Sequence, residues 1–393
     1  MSFLKIQNVD LKGKRVFIRA DLNVPIDESG KILDDSRIKA SIETIKYAIQ
    51  KGALVMVTSH LGRPEEGKSV EKFSLNTVKK KLGDCLNKPI TLIKNWVDKP
   101  FKINDKEIYL LENCRFNVGE KGNDDILVKK MTKLCDVYVN DAFGTAHRVE
   151  ATTFGMALEV KESCVGFLMA RELENLKNIF ENPRRPLLAI VGGSKISTKL
   201  TLLLSLLKKV DHLIVGGGIA NTFLKARGFE IGKSIVEDNL LDVAKNLLNE
   251  SGNGNGKIHM PIDVVVSNSS HDSSNAKQIN ITEVSFNEMI LDVGDETSKN
   301  YKDLVMEANT IIWNGPLGLF EVEAFSSGTR NLARALSESS GFTAVGGGDT
   351  ILAVKNYCSL EKINYISTGG GAFLEFLEGK ELPAILSLAK NKI

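Results

Sequence analysis

Leu187 to Leu200 reads LLAIVGGSKISTKL, and the reading of this stretch decides the fold. Five apolar residues, Leu187 to Val191, suit a buried strand and run straight into Gly192-Gly193. A helical pattern is expected to open at about Ser194. A strand, a glycine turn and a helix leave uncapped backbone N–H groups at a helix N-terminus, a ready site for an anion. Lys195 and Lys199 lie four apart, so on such a helix they would share one face beside that anion.

The same design recurs through the second half of the chain. Leu213 to Val215 ends in Gly216-Gly217-Gly218, and Ile311 to Trp313 ends in Asn314-Gly315-Pro316-Leu317-Gly318. Phe342 to Val345 ends in Gly346-Gly347-Gly348-Asp349-Thr350, and Ile363 to Ser367 in Thr368-Gly369-Gly370-Gly371. Glycines let main-chain N–H groups approach a ligand with no Cβ in the way. Such an edge suits a polyphosphate and a flat base. Asp349 is the expected ligand for a hard cation, because Mg²⁺ on phosphates takes one or two carboxylates.

The first half also alternates strands and helices, but its strand ends differ. Strands are expected at Arg15–Arg19, Leu54–Thr58, Ile108–Leu111 and Val137–Val139, with helices over Ser36–Lys51 and Ser74–Leu86. Runs of this kind indicate a parallel sheet covered on both sides, whose ligands gather outside the carboxyl ends of the strands. Those ends carry Asp21 and Asn23, then Ser59, His60, Leu61, Gly62 and Arg63, then Glu112, Asn113 and Arg115, then Asn140, Asp141, His147 and Arg148. Arg37 opens the first helix. Arginine offers a fixed fork of donors that suits carboxylate and phosphate oxygens, so the partner expected here is small and multiply anionic.

Phe167 to Pro186 reads as one amphipathic helix stopped by Pro183 and Pro186, with no Gly/Ser-rich tether between the halves. The expected fold is therefore α/β, with two doubly wound, Rossmann-like parallel-sheet domains joined by a hinge helix. The expected boundaries are residues 1–170 for the first domain, 171–186 for the hinge and 187–379 for the second.

Composition removes other classes. The 393 residues are 42% hydrophobic and 25% charged, with a formal net charge of +2, so no polybasic face suggests nucleic acid. No apolar run approaches a membrane span, and the residues after Met1 lack the apolar core of a signal peptide. The five cysteines are scattered without a CxxC pair, which indicates reduced thiols in the cytoplasm. Gly228 to Ser234 (GFEIGKS) has three residues between its glycines where a phosphate-binding P-loop needs four. Gly216-Gly217-Gly218 fails the dinucleotide fingerprint, because Asn221 stands at the third glycine position. His212, His259 and His271 show no metal-ligand spacing, and Ser251–Lys257 and Ser267–Lys277 read as polar surface loops.

A small anion in one half and a nucleotide phosphate with a metal in the other point to phosphoryl transfer. Its transition state spreads negative charge over the moving group, so positioning and positive charge supply most of the catalysis. Closing a cleft between two lobes would keep that group from water.

Seven stretches carry a family resemblance: RADLNVP (19–25), SHLGRP (59–64), DAFGTAHR (141–148), VGGSKISTK (191–199), WNGPLGLFE (313–321), GGGDT (346–350) and STGGGAFLEFLEG (367–379). They resemble the signature stretches of the phosphoglycerate kinase family, in the family's order and across nearly the whole chain. The resemblance implies transfer of the acyl phosphate of 1,3-bisphosphoglycerate to ADP, giving 3-phosphoglycerate and ATP, with Mg²⁺. It implies that the first domain binds phosphoglycerate through Asp21, Asn23, Arg37, His60, Leu61, Gly62, Arg63, Arg115 and Arg148. It implies nucleotide contacts from Lys199, Gly217, Gly218, Asn314, Pro316, Glu321, Gly347, Gly348, Asp349 and Thr350, with Asp349 on the metal. Arg37, Lys195 and the backbone N–H groups around Gly370 and Gly371 would neutralise the phosphoryl group in flight. The resemblance also implies a monomer, with residues 380–393 returning to the first domain.

Overall fold

In a computed structural model, which describes residues 3–271 and 273–390, two six-stranded parallel sheets carry the chain. The first contains β1 (Arg15–Ala20), β2 (Leu54–Thr58), β3 (Ile90–Ile93), β4 (Ile108–Leu111), β5 (Val137–Asp141) and β6 (Glu162–Val165), in the order β3-β4-β2-β1-β5-β6. Every residue of β4 and β5 is buried, as is all of β1 after Arg15. Strands covered on both faces read as mainly apolar runs, which is why β4 and most of β1 stand out in the sequence. After β1 the chain adds β2 on one side and later β5 on the other. Strand order therefore reverses between β1 and β5, and ligands of such sheets sit at that crevice.

The second half repeats this plan. It contains β7 (Leu187–Val191), β8 (His212–Val215), β9 (Lys257–His259), β10 (Asp263–Ser267), β11 (Lys277–Asn280), β12 (Met289–Val293), β13 (Thr310–Asn314), β14 (Phe342–Val345) and β15 (Tyr365–Ile366). The parallel sheet runs β15-β14-β13-β7-β8-β9, so its reversal lies between β7 and β13. The remaining strands form a small antiparallel sheet, β11-β10-β12, that the sequence reading lacks. Leu224, Ile231, Val264, Val266, Ile281 and Val284 supply its separate core. Ser267 and Lys277, read as the ends of a surface loop, are the last residue of β10 and the first of β11. Asp272 in that segment lies outside the described residues.

Contacts divide the chain into two units. One runs to Leu176 and takes in the segment from Glu381 on; the other is Lys177–Lys380. Each closes its own apolar core, around Val16, Ile18, Val55 and Val139 in the first and around Ile190, Ile311, Trp313 and Val345 in the second. The helix Pro383–Lys390 belongs to the first unit, where Ala384 N–H donates to Ala146 O at 3.1 Å. Asn391, Lys392 and Ile393, at the end of the expected return, lie outside the described residues.

Three helix boundaries depart from expectation. The helix expected over 167–186 is Phe167–Phe180, ending before Asn182 because the residue ahead of a proline is driven out of the α region. The expected helix over 74–86 begins at Asn76, behind a single 3₁₀ turn at Glu71–Phe73. The helix expected from Ser194 starts only at Leu200. Lys195 and Lys199 therefore do not share a helix face. The intervening segment is a turn in which Thr198 Oγ1 donates to Lys195 O at 2.8 Å and Lys199 N–H donates to Ile196 O at 2.9 Å. Ser197 N–H and Oγ are drawn off to the Glu237 carboxylate, at 2.8 and 2.5 Å. Serine and threonine offer such local alternatives to helix bonds. Ile196, fully buried, pins the turn, and burial of such a side chain is worth about 1.5–3 kcal/mol.

Candidate functional site

At the carboxyl edge of the first sheet, the expected residues meet through direct contacts. Asp21, the residue after β1, accepts from Nη1 of Arg37 at 2.9 and 3.1 Å, and that same nitrogen reaches Asn23 O at 3.3 Å. Asn23 Oδ1 in turn accepts from Gly62 N–H at 2.9 Å. Gly62 has φ +62°, a left-handed conformation, and a Cβ there would lie 2.4 Å from the Phe73 ring. Glycine is thus required for the turn that brings SHLGRP back to β1. Arg115 spans from Gly62 O, 2.9 Å from Nη1, to Glu150 Oε1, 2.8 Å from Nη2. Arg148 lies 3.6 Å from that same Glu150 oxygen.

His60 sits among these cations. Burial lowers its pKa well below 6.5, and the charges of Arg19, Arg115, Arg148 and Arg37 push it further the same way. The ring is therefore neutral at pH 7. Four guanidinium groups gather here, against the carboxylates Asp21, which pairs with Arg37, and Glu150, which lies beside Arg115 and Arg148. Leu61 is buried, whereas Arg63 is exposed at the rim and makes no hydrogen bond or ion pair among the described residues.

Other strand-end residues serve the scaffold. Asn113 holds the SHLGRP loop by donating to Leu61 O at 2.8 Å. Glu112 accepts from Ser74 Oγ and Leu75 N–H, both at 2.7 Å. Asp141 accepts from Met169 N–H at 3.0 Å. Sequence reasoning missed the layer beneath the site. Arg19, inside β1 and wholly buried, donates to Thr152 Oγ1 at 3.0 Å and to His60 Nδ1 at 3.3 Å. Thr152 also donates to the buried Glu120. Burial raises the Glu120 carboxyl to about 7, against the lowering effects of Thr152 and Arg19. The only local signal was a charged residue within an apolar strand run.

In the second sheet, the carboxyl ends of β7 and β13 touch at the strand-order reversal. A Cβ on Gly192 would lie 1.9 Å from Pro316 O, and one on Gly315 would lie 2.2 Å from Gly192 O. A Cβ on Gly218 would lie 2.1 Å from Ser194 O. These are backbone-on-backbone approaches that no other residue permits. Lys199 Nζ donates to Asn314 Oδ1, and Asn314 Nδ2 donates to Gly346 O at 2.6 Å. Thr350 Oγ1 accepts from Gly315 N–H at 2.8 Å. Burial lowers the Lys199 pKa, while Glu378 and Asp349 oppose that shift.

Helices that begin at this edge include Gly217–Ala226, Gly348–Tyr357 and Gly370–Leu377. The latter two begin side by side, since a Cβ on Gly370 would lie 3.7 Å from Gly347 Cα. Their free N–H groups and dipoles favour an anion at the shared edge. Lys195, Gly371, Glu321 and Asp349 are exposed around it. No cluster of three metal-ligating side chains occurs among the described residues. Asp349, an exposed carboxylate in the first turn of its helix, fits a cation that brings most of its oxygen ligands on a phosphate chain.

A family model described as phosphoglycerate kinase matches residues 6–380. The structure of phosphoglycerate kinase from Coxiella burnetii is 49% identical to this chain, covers 99% of both chains and superposes with a TM-score of 0.94. The phosphoglycerate kinase from Pyrococcus horikoshii OT3 is 31% identical over 99% of both chains, with a TM-score of 0.84.

Proposed function

The chain belongs to the phosphoglycerate kinase family, and on that premise we propose that it reversibly transfers the acyl phosphate of 1,3-bisphosphoglycerate to ADP, giving 3-phosphoglycerate and ATP, with Mg²⁺. The observation that carries this reading is the division of chemistry between the units. One presents arginines around a neutral histidine, and the other presents glycine-edged strand ends with helix N-termini.

In this reading Asp21, Asn23, Arg37, His60, Leu61, Gly62, Arg63, Arg115 and Arg148 hold phosphoglycerate. Lys199, Gly217, Gly218, Asn314, Pro316, Glu321, Gly347, Gly348 and Thr350 hold the nucleotide. An ADP β-phosphate oxygen attacks the acyl phosphorus in line, and the bond from phosphorus to the acyl oxygen breaks. The carboxylate leaves with that electron pair. No proton moves, so no general base is needed and His60 serves as a donor to substrate. Arg37, Lys195 and the N–H groups at Gly370 and Gly371 neutralise charge on the phosphoryl group. Asp349 would hold Mg²⁺, which when bound screens the nucleotide's phosphate charge. Closure about the helix Phe167–Phe180 would bring donor and acceptor together and exclude water.

The five free cysteines support a reducing, cytoplasmic setting. No helix among the described residues is long and apolar enough to cross a membrane. We read the active form as a monomer, with small molecules and no nucleic acid as its partners. The test supplies MgATP with and without 3-phosphoglycerate and couples any acyl phosphate formed to NADH oxidation by glyceraldehyde-3-phosphate dehydrogenase. Turnover should require the acid and vanish with EDTA. ATP binding without turnover would overturn the reading.

A further inference from the structure

At the edge of the second sheet, two histidines lie outside both strand-end clusters. His212 opens β8 and His259 closes β9, 47 residues further on, so no sequence spacing links them. The parallel register pairs His212 with Lys257 and Ile214 with His259. Because side chains alternate with period two, both rings project from one face as diagonal neighbours. His212 Nδ1 and His259 Nε2 are 3.0 Å apart, with ring planes tilted by 55°. Each residue is half-buried.

We propose that His212 and His259 form a two-imidazole site for a borderline transition-metal dication of the Cu²⁺ or Ni²⁺ class. Nitrogens bound at about 2.0–2.1 Å and at a right angle on one ion are about 3 Å apart, the separation found here. The ladder of β8 and β9 holds the two backbones in place, so little ordering is needed on binding. Burial, then the neighbouring His212 and Lys257, lower His259 to about 4. In the metal-free pair one ring donates its N–H to the other. Binding moves that proton to the donor ring's second nitrogen, which frees both lone pairs with no oxidation and no net proton loss.

Water would fill the other positions from the adjoining cleft of about 260 Å³, which His259 lines with Met260, Asn300 and Tyr301. No carboxylate belongs to the site, so hard Mg²⁺ is excluded from it. The bound ion would tie the edge strand β9 to β8.

The probe is the Cu²⁺–iminodiacetate chelate, which leaves cis positions for two imidazoles and shields the thiols from free Cu²⁺. Paramagnetic resonance on the unmodified protein should show one equivalent bound through two imidazole nitrogens. His212→Gln and His259→Gln should each weaken binding by about tenfold or more. A spectrum with one imidazole nitrogen, no bound chelate, or unchanged affinity in the double variant would overturn the proposal. The wild-type spectrum decides even if a variant misfolds. Because the readout needs no turnover, its failure leaves the phosphotransfer reading untouched.

Discussion

Arg19 Nη2 donates to His60 Nδ1 across 3.3 Å, and both residues are buried at the carboxyl edge of the first sheet. A guanidinium has no lone pair, so Nδ1 must be the acceptor and the neutral ring carries its proton on Nε2. Burial and four nearby guanidinium groups keep the His60 ring neutral, and the Arg19 contact sets its tautomer, with the proton on Nε2.

Nitrogen NMR of His60 should show the Nε2–H tautomer, still neutral well below pH 6.5. Folding linkage follows the same sign. The unfolded chain gains a proton below 6.5 while the folded ring resists it, so this group's stability is present above 6.5 and lost as pH falls. Titration of the folded ring near 6.5 would contradict the burial of His60 among these guanidinium groups.

Glu120 should act with the opposite sign. Its folded carboxyl holds a proton up to about 7, whereas the unfolded one releases it near 4.5. Its favourable contribution is full below 4.5 and is lost as pH rises through 7. Glu120→Gln keeps an acceptor for Thr152 without the charge. Urea unfolding at pH 5 and 8 should show the variant gaining about 1–3 kcal/mol relative to wild type at the higher pH. An equal difference at both values would remove Glu120 as a titrating group.

Arg37→Ala should lower kcat by roughly 100-fold or more while leaving the nucleotide KM nearly unchanged, because its charge is used mainly in the transition state. The variant also leaves the buried Asp21 without its cation partner. Calorimetric binding of 3-phosphoglycerate separates the two effects. A large nucleotide KM defect with normal kcat would count against the assigned role.

Lys199→Ala should weaken ATP and ADP binding by roughly 10–100-fold, the range for losing a charge-assisted bond. Lys199 already bonds Asn314 within the unit, so its ammonium is held at the edge before nucleotide arrives. Unchanged affinity by calorimetry would take Lys199 out of the site.

Gly192→Ala should destabilise the second unit by about 2–4 kcal/mol, since the new Cβ would meet Pro316 O at 1.9 Å and Gly315 O at 2.6 Å. Denaturant unfolding gives the loss directly. A neutral substitution would mean that β7 and β13 do not meet as closely as described.

The sequence by itself determined most strands of the two parallel sheets and the chemistry at their edges. Leu187–Val191, Val137–Val139 and Ile108–Leu111 are apolar because parallel strands are buried on both faces. The residue after each strand must then emerge at the same carboxyl edge, so Asp21, His60, Arg115 and Arg148 could be gathered without coordinates. Only the tertiary structure decided what lies beneath and between them. Arg19 and Thr152 are 133 residues apart and His212 and His259 are 47 apart, and neither pairing leaves a local pattern. Lys195 and Lys199 kept helical spacing but lost the helix, because Glu237 and the buried Ile196 captured the turn. Periodicity records which face of an element is buried. Which distant side chain it meets there depends on strand order and register, and those exist only once the sheets have closed.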